Sequence, residues 1–272
     1  MDRDLFYIIC GFSFALGACI ASFLNVVIWR VPRGESIVSP PSHCPKCNAP
    51  IKWYQNIPIL AWLALRGKCA NCKAPISPRY ILIETLGGVL FLASFVHFAR
   101  LNVELHLVLF YWIWSALMIA GSFIDFDHKL LPDFVTVGGM ILGLVMSALV
   151  SVCWRTYSPL LMSVGGLAFG FGVLWLIRFV GSKAFKREAM GLGDVFLMGA
   201  VGALFGPVAV LLTLILSSVF GSLVGVGMIA LSKTKFGKFV EIPFGPYICM
   251  GCLVWMFFGP EIVGWYLGLF QH

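Results

Sequence analysis

The sequence predicts an all-α polytopic membrane protein with about eight transmembrane helices and a small hydrophilic domain between helices 1 and 2. Three observations lead to this prediction. Of the 272 residues, 60% are hydrophobic and 11% are charged, whereas about a quarter of the residues in a soluble domain are charged. Apolar runs of about 20 residues, the length that spans a bilayer, recur along the chain. The one sizeable hydrophilic segment, residues 30–78, is rich in proline.

Eight apolar runs define the predicted spans. Only Phe205-Gly206-Pro207 separates the sixth and seventh runs, and the sixth is short for a full span, so it is expected to tilt or to end inside the bundle. The runs divide the chain into a first transmembrane helix (1–29), a hydrophilic domain (30–78) and a transmembrane core (79–272). Their approximate bounds are 5–29, 79–99, 105–124, 132–153, 159–181, 192–206, 207–231 and 246–268.

The distribution of basic residues predicts the orientation in the membrane. With eight spans the loops alternate between two sides, and sixteen of the nineteen Lys and Arg residues fall on the side that holds residues 30–78. The exceptions are Arg3, Arg100 and Arg155. By the positive-inside rule the basic side is cytoplasmic, so both termini are expected on the opposite side. The formal net charge of +7 is therefore a topology signal, and no basic patch on a soluble domain indicates nucleic-acid binding.

Two cysteine pairs lie in the hydrophilic domain, which is predicted to be cytoplasmic. Cys44 and Cys47 form the first pair and Cys69 and Cys72 the second, with 21 residues between the pairs. This spacing is close to that of four-cysteine zinc sites. Disulfides are the alternative, but they do not persist in the reducing cytoplasm. Four thiolates leave no coordination position for water, so we predict a structural zinc ion that folds a segment with a weak core.

Two aspartates lie at the ends of predicted spans, on the cytoplasmic side. Asp125 ends the third span, and Asp194 begins the sixth within Gly191-Leu192-Gly193-Asp194. A carboxylate at the mouth of a membrane segment is costly, so each is a candidate for a functional site. The two are 69 residues apart in the sequence, and we predict that the fold brings them together.

Other polar residues near these spans have competing explanations. Asp133 follows Pro132 in the first turn of a predicted helix, where the helix dipole alone favours an acid, and Asp127 lies in a solvated turn. Asn25 either makes an interhelical hydrogen bond or lines the site. Glu84 either reaches the membrane interface, pairs with a cytoplasmic arginine, or takes part in the site.

A stiff turn precedes the last span. In Ile242-Pro243-Phe244-Gly245-Pro246, two prolines flank an aromatic residue and a glycine. The turn is either a kinked entry into the span or a wall beside the site, shaped by Pro243 and Gly245. Cys249 and Cys252 repeat the Cys-x-x-Cys spacing inside the last apolar run, but no second pair accompanies them, so both are interpreted as packing residues.

Two carboxyl groups held close together favour acid–base chemistry. They cannot both be ionised cheaply, so the pair shares a proton. One carboxylate can then activate water while the other carboxyl group polarises a scissile carbonyl. This is the minimum equipment for amide hydrolysis without a metal or a nucleophilic side chain. Gly191 and Gly193 permit a tight backbone turn and the close approach of a substrate strand.

A set of motifs extends over nearly the whole chain. The motifs are Ser22-Phe23-Leu24-Asn25-Val26-Val27, the two Cys pairs, Trp53-Tyr54-Gln55-Asn56-Ile57-Pro58, Leu65-Arg66-Gly67-Lys68-Cys69, Ile76-Ser77-Pro78-Arg79-Tyr80, Asp125 with Pro132-Asp133, Gly191-Leu192-Gly193-Asp194 and Ile242-Pro243-Phe244-Gly245-Pro246. With them the sequence resembles the type IV prepilin peptidase and N-methyltransferase family, the bifunctional membrane aspartyl proteases of bacterial type IV pilus and type II secretion systems. One departure is Gln55, where an acid is expected.

The resemblance implies two reactions at the cytoplasmic face of the bacterial inner membrane. The first removes the short basic leader of type IV prepilins and of type II secretion pseudopilins, after a glycine, with Asp125 and Asp194 as the catalytic pair. The second methylates the new N-terminal amine with S-adenosylmethionine, and it is associated with the domain that carries the Cys pairs. The expected partners are these substrates and membrane lipid, with no nucleic acid.

Two other functions remain open from the sequence. Other aspartyl proteases of the Gly-x-Gly-Asp type share the motif at Asp194 but not the four-cysteine domain. A proton-coupled transporter would use Asp125 and Asp194 as proton relays, and it would place them nearer the middle of the bilayer than the span ends where the sequence puts them.

Overall fold

A computed structural model describes residues 2–101, 105–188, 190–231 and 243–270 of the chain. These residues form helices and connecting turns, and none of them belongs to a β-strand. Two 3-10 turns, Val31–Arg33 and Trp53–Asn56, lie in the hydrophilic segment. The α-helices are α1 (Arg3–Arg30), α2 (Leu60–Ala64), α3 (Arg79–Arg100), α4 (Leu105–His128), α5 (Asp133–Cys153), α6 (Ser158–Phe185), α7 (Leu192–Phe205), α8 (Pro207–Leu231) and α9 (Gly245–Gly268).

Among the described helices, seven are long and apolar enough to cross a membrane. They are α1, α3, α4, α5, α6, α8 and α9. The predicted sixth span is present as α7, but its 14 residues rise only about 21 Å, less than the roughly 30 Å of a bilayer's hydrocarbon core. The helices therefore fit the predicted polytopic membrane protein, with one apolar helix shorter than a full span.

Two helix boundaries near the predicted site depend on particular residues. Between α7 and α8, Gly206 adopts a φ of +82° and Pro207 begins the next helix, so the boundary predicted at Phe205-Gly206-Pro207 is confirmed. The helix α4 continues to His128, whereas the sequence prediction ended this span at residue 124. The helix ends at His128 because the next residue, Lys129, adopts a φ of +53°, which interrupts the α-helical backbone.

The chain divides into two compact units, Met1–Ala120 and Gly121–His272. In the first unit α1 packs closely against α3. A Cβ atom built on Gly17 would lie 2.7 Å from the Cβ atom of Phe91, and one on Gly87 would overlap Ala21. Small residues at this crossing therefore let the two backbones approach, as in many membrane helix pairs.

In the second unit the short helix α7 is surrounded by other helices. Val195, Leu197, Met198, Ala200 and Val201 are all fully buried, and the neighbours of α7 are α5, α6, α8 and α9. A helix that is apolar on every side is suited to the interior of a protein or to a membrane. Since α7 begins with the Gly191–Asp194 motif, this central position carries Asp194 into the interior of the unit.

The crossing of α6 and α7 requires glycine, and we expect Gly202→Ala to destabilise the protein. A Cβ atom on Gly202 would overlap the Gly166 carbonyl group and lie 3.0 Å from the Leu167 nitrogen. Because backbone atoms cannot move aside as side chains do, the free energy of unfolding should fall by about 3 kcal/mol, the upper end for overpacking. Thermal unfolding in detergent measures this. The matched control is Gly165→Ala, because nothing lies within 4 Å of a Cβ atom at Gly165. An equal effect of both changes would contradict the tight crossing.

Candidate active site

Asp125 lies in the last turn of α4 with its carboxylate buried inside the second unit. Only 6% of the residue is exposed. Its Oδ2 atom accepts a hydrogen bond, 3.0 Å long, from the backbone N–H of Gly245. Gly245 is the first residue of α9, so the carboxylate meets the positive end of that helix dipole. The start of α9 thus supplies the partner that a buried acid needs.

Glycine is the only residue type that fits at position 245 beside the Asp125 carboxylate. A Cβ atom at this position would lie 2.6 Å from Oδ2 of Asp125 and 3.2 Å from Cδ1 of Leu131. Phe244 caps α9, with a proline in the first helical turn, and Pro243 is partly buried just before it. Ile242, the first residue of the motif, lies outside the described residues. The turn thus presents a backbone donor directly to Asp125.

Asp194 is the third residue of α7, and its carboxylate turns back over the start of the helix. Gly191 caps this helix, and Oδ2 of Asp194 lies beside it, 3.4 Å from the position that a Cβ atom on Gly191 would take. A third helical residue in this place can satisfy the free N–H of the cap, as in one half of a capping box. Asp194 is 8% exposed, so a local sequence motif fixes an otherwise costly buried carboxylate.

The fold brings the two aspartates to one site. The negative charge of Asp125 acts on the Asp194 carboxylate. Leu131 lies between the segments that carry them: it contacts Gly245, and a Cβ atom on Gly193 would lie 2.8 Å from the Leu131 Cβ atom. The space beside Gly193 is therefore filled by Leu131, and glycine here allows the start of α7 to pack against the loop after α4.

The neighbouring acids have different surroundings. Asp127 and Asp133 are exposed, and Asp133 is the first residue of α5, where the sequence placed it. Neither residue has the burial that distinguishes Asp125 and Asp194.

Asn25 and Glu84 lie in the first unit, and both make hydrogen bonds there. The Asn25 amide in α1 donates to the Tyr80 carbonyl at 3.5 Å. Oε2 of Glu84 in α3 accepts a hydrogen bond, 2.7 Å long, from the backbone N–H of Ile59. The first alternative given for Asn25, a hydrogen bond between helices, is therefore present. Glu84 holds the chain just before α2, an arrangement that none of the sequence explanations anticipated.

Sequence reasoning missed a buried polar contact beside the two aspartates. Cys249, one turn after Gly245 in α9, is 1% exposed. Its thiol lies near Ser122 and near both Asp125 and Asp194. The available signal was the spacing, because Ser122 precedes Asp125 by three residues and Cys249 follows Gly245 by four, so each pair shares a helix face.

The four cysteines of the hydrophilic segment form one cluster. Their Sγ atoms all lie within 4.8 Å of one another, and the Sγ atoms of Cys44 and Cys72 are 3.8 Å apart. Four sulfurs around zinc at a Zn–S distance of about 2.3 Å would be about 3.8 Å apart, so the cluster fits a tetrahedral metal site. All nine cysteines of the chain are free of disulfides.

Two turns of the same design build this cluster. Each has the sequence Cys-x-x-Cys-x-Ala-Pro, at residues 44–50 and 69–75. The Cys44 N–H donates to the Ala49 carbonyl at 3.0 Å and the Cys69 N–H to the Ala74 carbonyl at 2.8 Å. Each turn therefore folds its two sulfurs to the same side, and the repeat explains how a segment with little apolar core forms a defined site.

Hydrogen bonds prepare some of these sulfurs to bind a cation. The Ala49 N–H and the Asn71 amide lower the pKa of Cys47 to about 6, and the N–H groups of Cys72 and Asn71 lower that of Cys69. At Cys72 the Ala74 N–H acts in the same direction, but desolvation and the neighbouring cysteines outweigh it and raise the pKa to about 11. The cluster therefore favours thiolates but needs a positive charge to hold all four.

Comparisons with known proteins agree along most of the chain. A model described as the bacterial peptidase A24 N-terminal domain matches residues 15–98, and one described as the type IV leader peptidase family matches residues 112–226. The prepilin leader peptidase/N-methyltransferase of Legionella pneumophila is 35% identical, over 96% of this chain and 94% of that protein. No solved structure matches the chain.

Two further relatives carry related names. The type 4 prepilin-like proteins leader peptide-processing enzyme of Escherichia coli O78:H11 is 36% identical, over 86% of this chain and 88% of that protein. A prepilin leader peptidase/N-methyltransferase of Myxococcus xanthus is 42% identical over 80% of this chain, and the match spans 62% of that longer protein.

Proposed function

Because the chain belongs to the type IV leader peptidase family, we propose that it cleaves the leader peptides of type IV prepilins and methylates the new N-terminal amine. The observation that carries the proteolytic part is the pair of buried carboxylates, Asp125 and Asp194, whose charges interact. We assign these two residues as the catalytic pair, and pseudopilins of type II secretion systems are included among the substrates.

The pair hydrolyses an amide by general acid–base catalysis. One ionised carboxylate removes a proton from water, whose oxygen attacks the scissile carbonyl carbon, while the protonated partner donates its proton to the carbonyl oxygen. The carboxylate that gave up its proton then takes one from a hydroxyl of the tetrahedral diol, the C–N bond breaks, and the other carboxyl group donates its proton to the departing nitrogen. The leader leaves with a new carboxylate and the pilin with a free amine. The shared proton belongs to the pair and not to one aspartate.

Two backbone donors keep these carboxylates in place. Gly245 donates to Asp125, and we propose that the N–H of Gly191, which lies beside Oδ2 of Asp194, donates to that carboxylate. Each donor is a glycine at a helix start, so neither carries a side chain that would fill the space next to the reacting oxygen atoms. We propose that Gly191, Gly193, Gly245 and Pro243 shape the site around the pair. The assignment of Asn25 and Glu84 to the site stays a prediction from the sequence.

We expect Gly245→Ala to lower cleavage of a prepilin peptide about a hundredfold. The new Cβ atom would lie 2.6 Å from Oδ2 of Asp125, so the carboxylate must move, and misplacement by about 1 Å costs roughly that factor in rate. The kcat of purified protein measures it. Gly264→Ala in the same helix is the control, because nothing lies within 4 Å of a Cβ atom there. Full activity of Gly245→Ala would show that the contact is dispensable.

The second reaction transfers a methyl group from S-adenosylmethionine to the new amine, which must be unprotonated to attack. No residue is assigned to the donor, and the hydrophilic domain is proposed as its region. Cys44, Cys47, Cys69 and Cys72 are proposed to hold a structural zinc ion, which fits their separation. When bound, zinc would supply the positive charge that four thiolates need, with no open position for catalysis.

The protein is proposed to reside in the bacterial inner membrane with its site facing the cytoplasm, and the asymmetry of basic residues supports this orientation. We divide it into the first transmembrane helix (1–29), the zinc domain (30–78) and the protease core (79–272). We propose that α2 also contacts lipid. Its Leu60 and Leu63 side chains are exposed, and the preceding residue, Ile59, is hydrogen-bonded to Glu84. Glu84 lies about 7.5 Å along α3 from the start of that helix, so the bond holds α2 beside a membrane-spanning segment.

A direct assay tests both activities. Purified protein is incubated with a synthetic prepilin peptide, with and without S-adenosylmethionine, and the products are identified by mass spectrometry. Cleavage at the leader junction is expected in both cases, and a methyl group on the mature N-terminus only with the donor. Absence of cleavage by folded protein would refute the proposal.

A further inference from the structure

Arg178 stands out among the basic residues because its side chain binds a defined part of the backbone next to the active-site motif. It lies in α6, and its side chain is 20% exposed. Its Nε atom donates to the Met190 carbonyl at 2.9 Å, and its Nη2 atom lies 3.0 Å from Oε1 of Glu188. A cation near the proposed cytoplasmic end of a membrane-spanning helix would also favour the orientation in the membrane and offset the helix dipole, but neither role requires these directed bonds.

The bond to Met190 bears on the active site through one peptide group. The Met190 carbonyl and the Gly191 N–H belong to the same planar unit. The guanidinium of Arg178 holds the oxygen of this unit, and Oδ2 of Asp194 lies beside Gly191, 3.4 Å from the position that a Cβ atom on Gly191 would take. Fixing the oxygen therefore fixes the direction in which the N–H points.

From this arrangement we propose that Arg178 is a positioning residue for Asp194, acting through the Met190–Gly191 peptide. The positive charge on the carbonyl polarises the peptide and strengthens its N–H as a donor, because hydrogen bonds in a chain reinforce one another. Asp194 is thereby held in the orientation that faces Asp125. This inference rests on the proposed function, since it assigns Arg178 a part in cleavage.

The test compares kcat and KM for cleavage of a prepilin peptide by full-length protein carrying Arg178→Gln, Arg178→Lys or Glu188→Gln. Arg178→Gln should lower kcat about tenfold or more, the effect of losing a hydrogen bond made by a charged group, with KM within about twofold. Arg178→Lys keeps the charge, so it should fall between Arg178→Gln and the unaltered protein. Glu188→Gln should stay within about twofold, because Glu188 is 82% exposed and surface ion pairs contribute little.

A second substitution tests the same peptide without altering Arg178. Gly191 has a φ of −64°, which proline also adopts, so Gly191→Pro keeps this angle but removes the N–H. Relative to Gly191→Ala, which keeps the N–H, Gly191→Pro should lower kcat about tenfold or more. Methylation of an already cleaved peptide should be unchanged in each variant, which shows that the protein is folded.

The outcomes separate the inference from the function it rests on. Cleavage by the unaltered protein establishes the function, and the kcat and KM of each variant are then compared with those of the unaltered protein. An unchanged kcat in Arg178→Gln, or equal rates for Gly191→Pro and Gly191→Ala, would overturn the positioning role. A raised KM at constant kcat in Arg178→Gln would also overturn it, because Arg178 would then bind substrate and not orient Asp194.

Discussion

Asp125→Asn and Asp194→Asn are each expected to reduce prepilin cleavage at least about a thousandfold, the scale seen when one member of a catalytic unit is removed. Asparagine has nearly the same shape as aspartate, but its amide can neither take a proton from water nor share one with a partner carboxyl group. Both side chains are buried, so water cannot replace the missing group freely. Initial rates with a synthetic prepilin peptide measure the loss, and methylation of a cleaved peptide should persist.

The controls for this prediction are the exposed acids on either side of the α4–α5 turn. Asp127→Asn and Asp133→Asn should retain most of the activity, because both residues are exposed and Asp133 serves the start of α5. Robust cleavage by either buried-aspartate variant, or equal losses in all four, would remove the basis for assigning Asp125 and Asp194 as the pair.

Replacing Cys44 and Cys47 by serine is expected to have the second large effect, on the hydrophilic segment. Without two of its four thiolates the segment loses the ion that we propose holds its two turns together. Zinc bound per chain should fall from equimolar to near zero, and residues 30–78 should become sensitive to protease. Methylation should be impaired. Metal analysis of purified protein and limited proteolysis measure these changes.

The matched control for the zinc prediction is a pair of cysteines outside the cluster. Cys19 and Cys153 are exposed on transmembrane helices, so Cys19→Ser with Cys153→Ser should leave zinc content unchanged. If purified unaltered protein contains no zinc, the four cysteines have another use.

The helices were largely predictable because each depends on local composition. A run of about 20 apolar residues needs only its own length to be recognised, so the predicted run 207–231 and the helix α8 coincide. The start of α5 at Asp133 was likewise encoded by Pro132 before it. The end of α4 was misplaced by a few residues, because Asp125 and Asp127 look like the end of an apolar run while the backbone continues through them.

The partners of the site residues could not be predicted, because they depend on contacts between distant segments. Asp125 and Gly245 are 120 residues apart, and nothing in either motif specifies the other. The sequence suggested that Gly193 leaves space for substrate, but Leu131 occupies that space. In the sequence Arg178 is one of sixteen basic residues on the predicted cytoplasmic side, and only the folded chain brings it to the Met190 carbonyl.

The most direct test of the paired carboxylates is a structure of the Asp194→Asn protein with an uncleaved prepilin peptide bound. The substitution should preserve the fold and trap the substrate. We expect the scissile carbonyl to lie within hydrogen-bond distance, about 2.6–3.2 Å, of residue 194 or of a water molecule held between residues 125 and 194. A scissile bond bound elsewhere, or adjacent to only one of the two residues, would contradict an aspartate dyad.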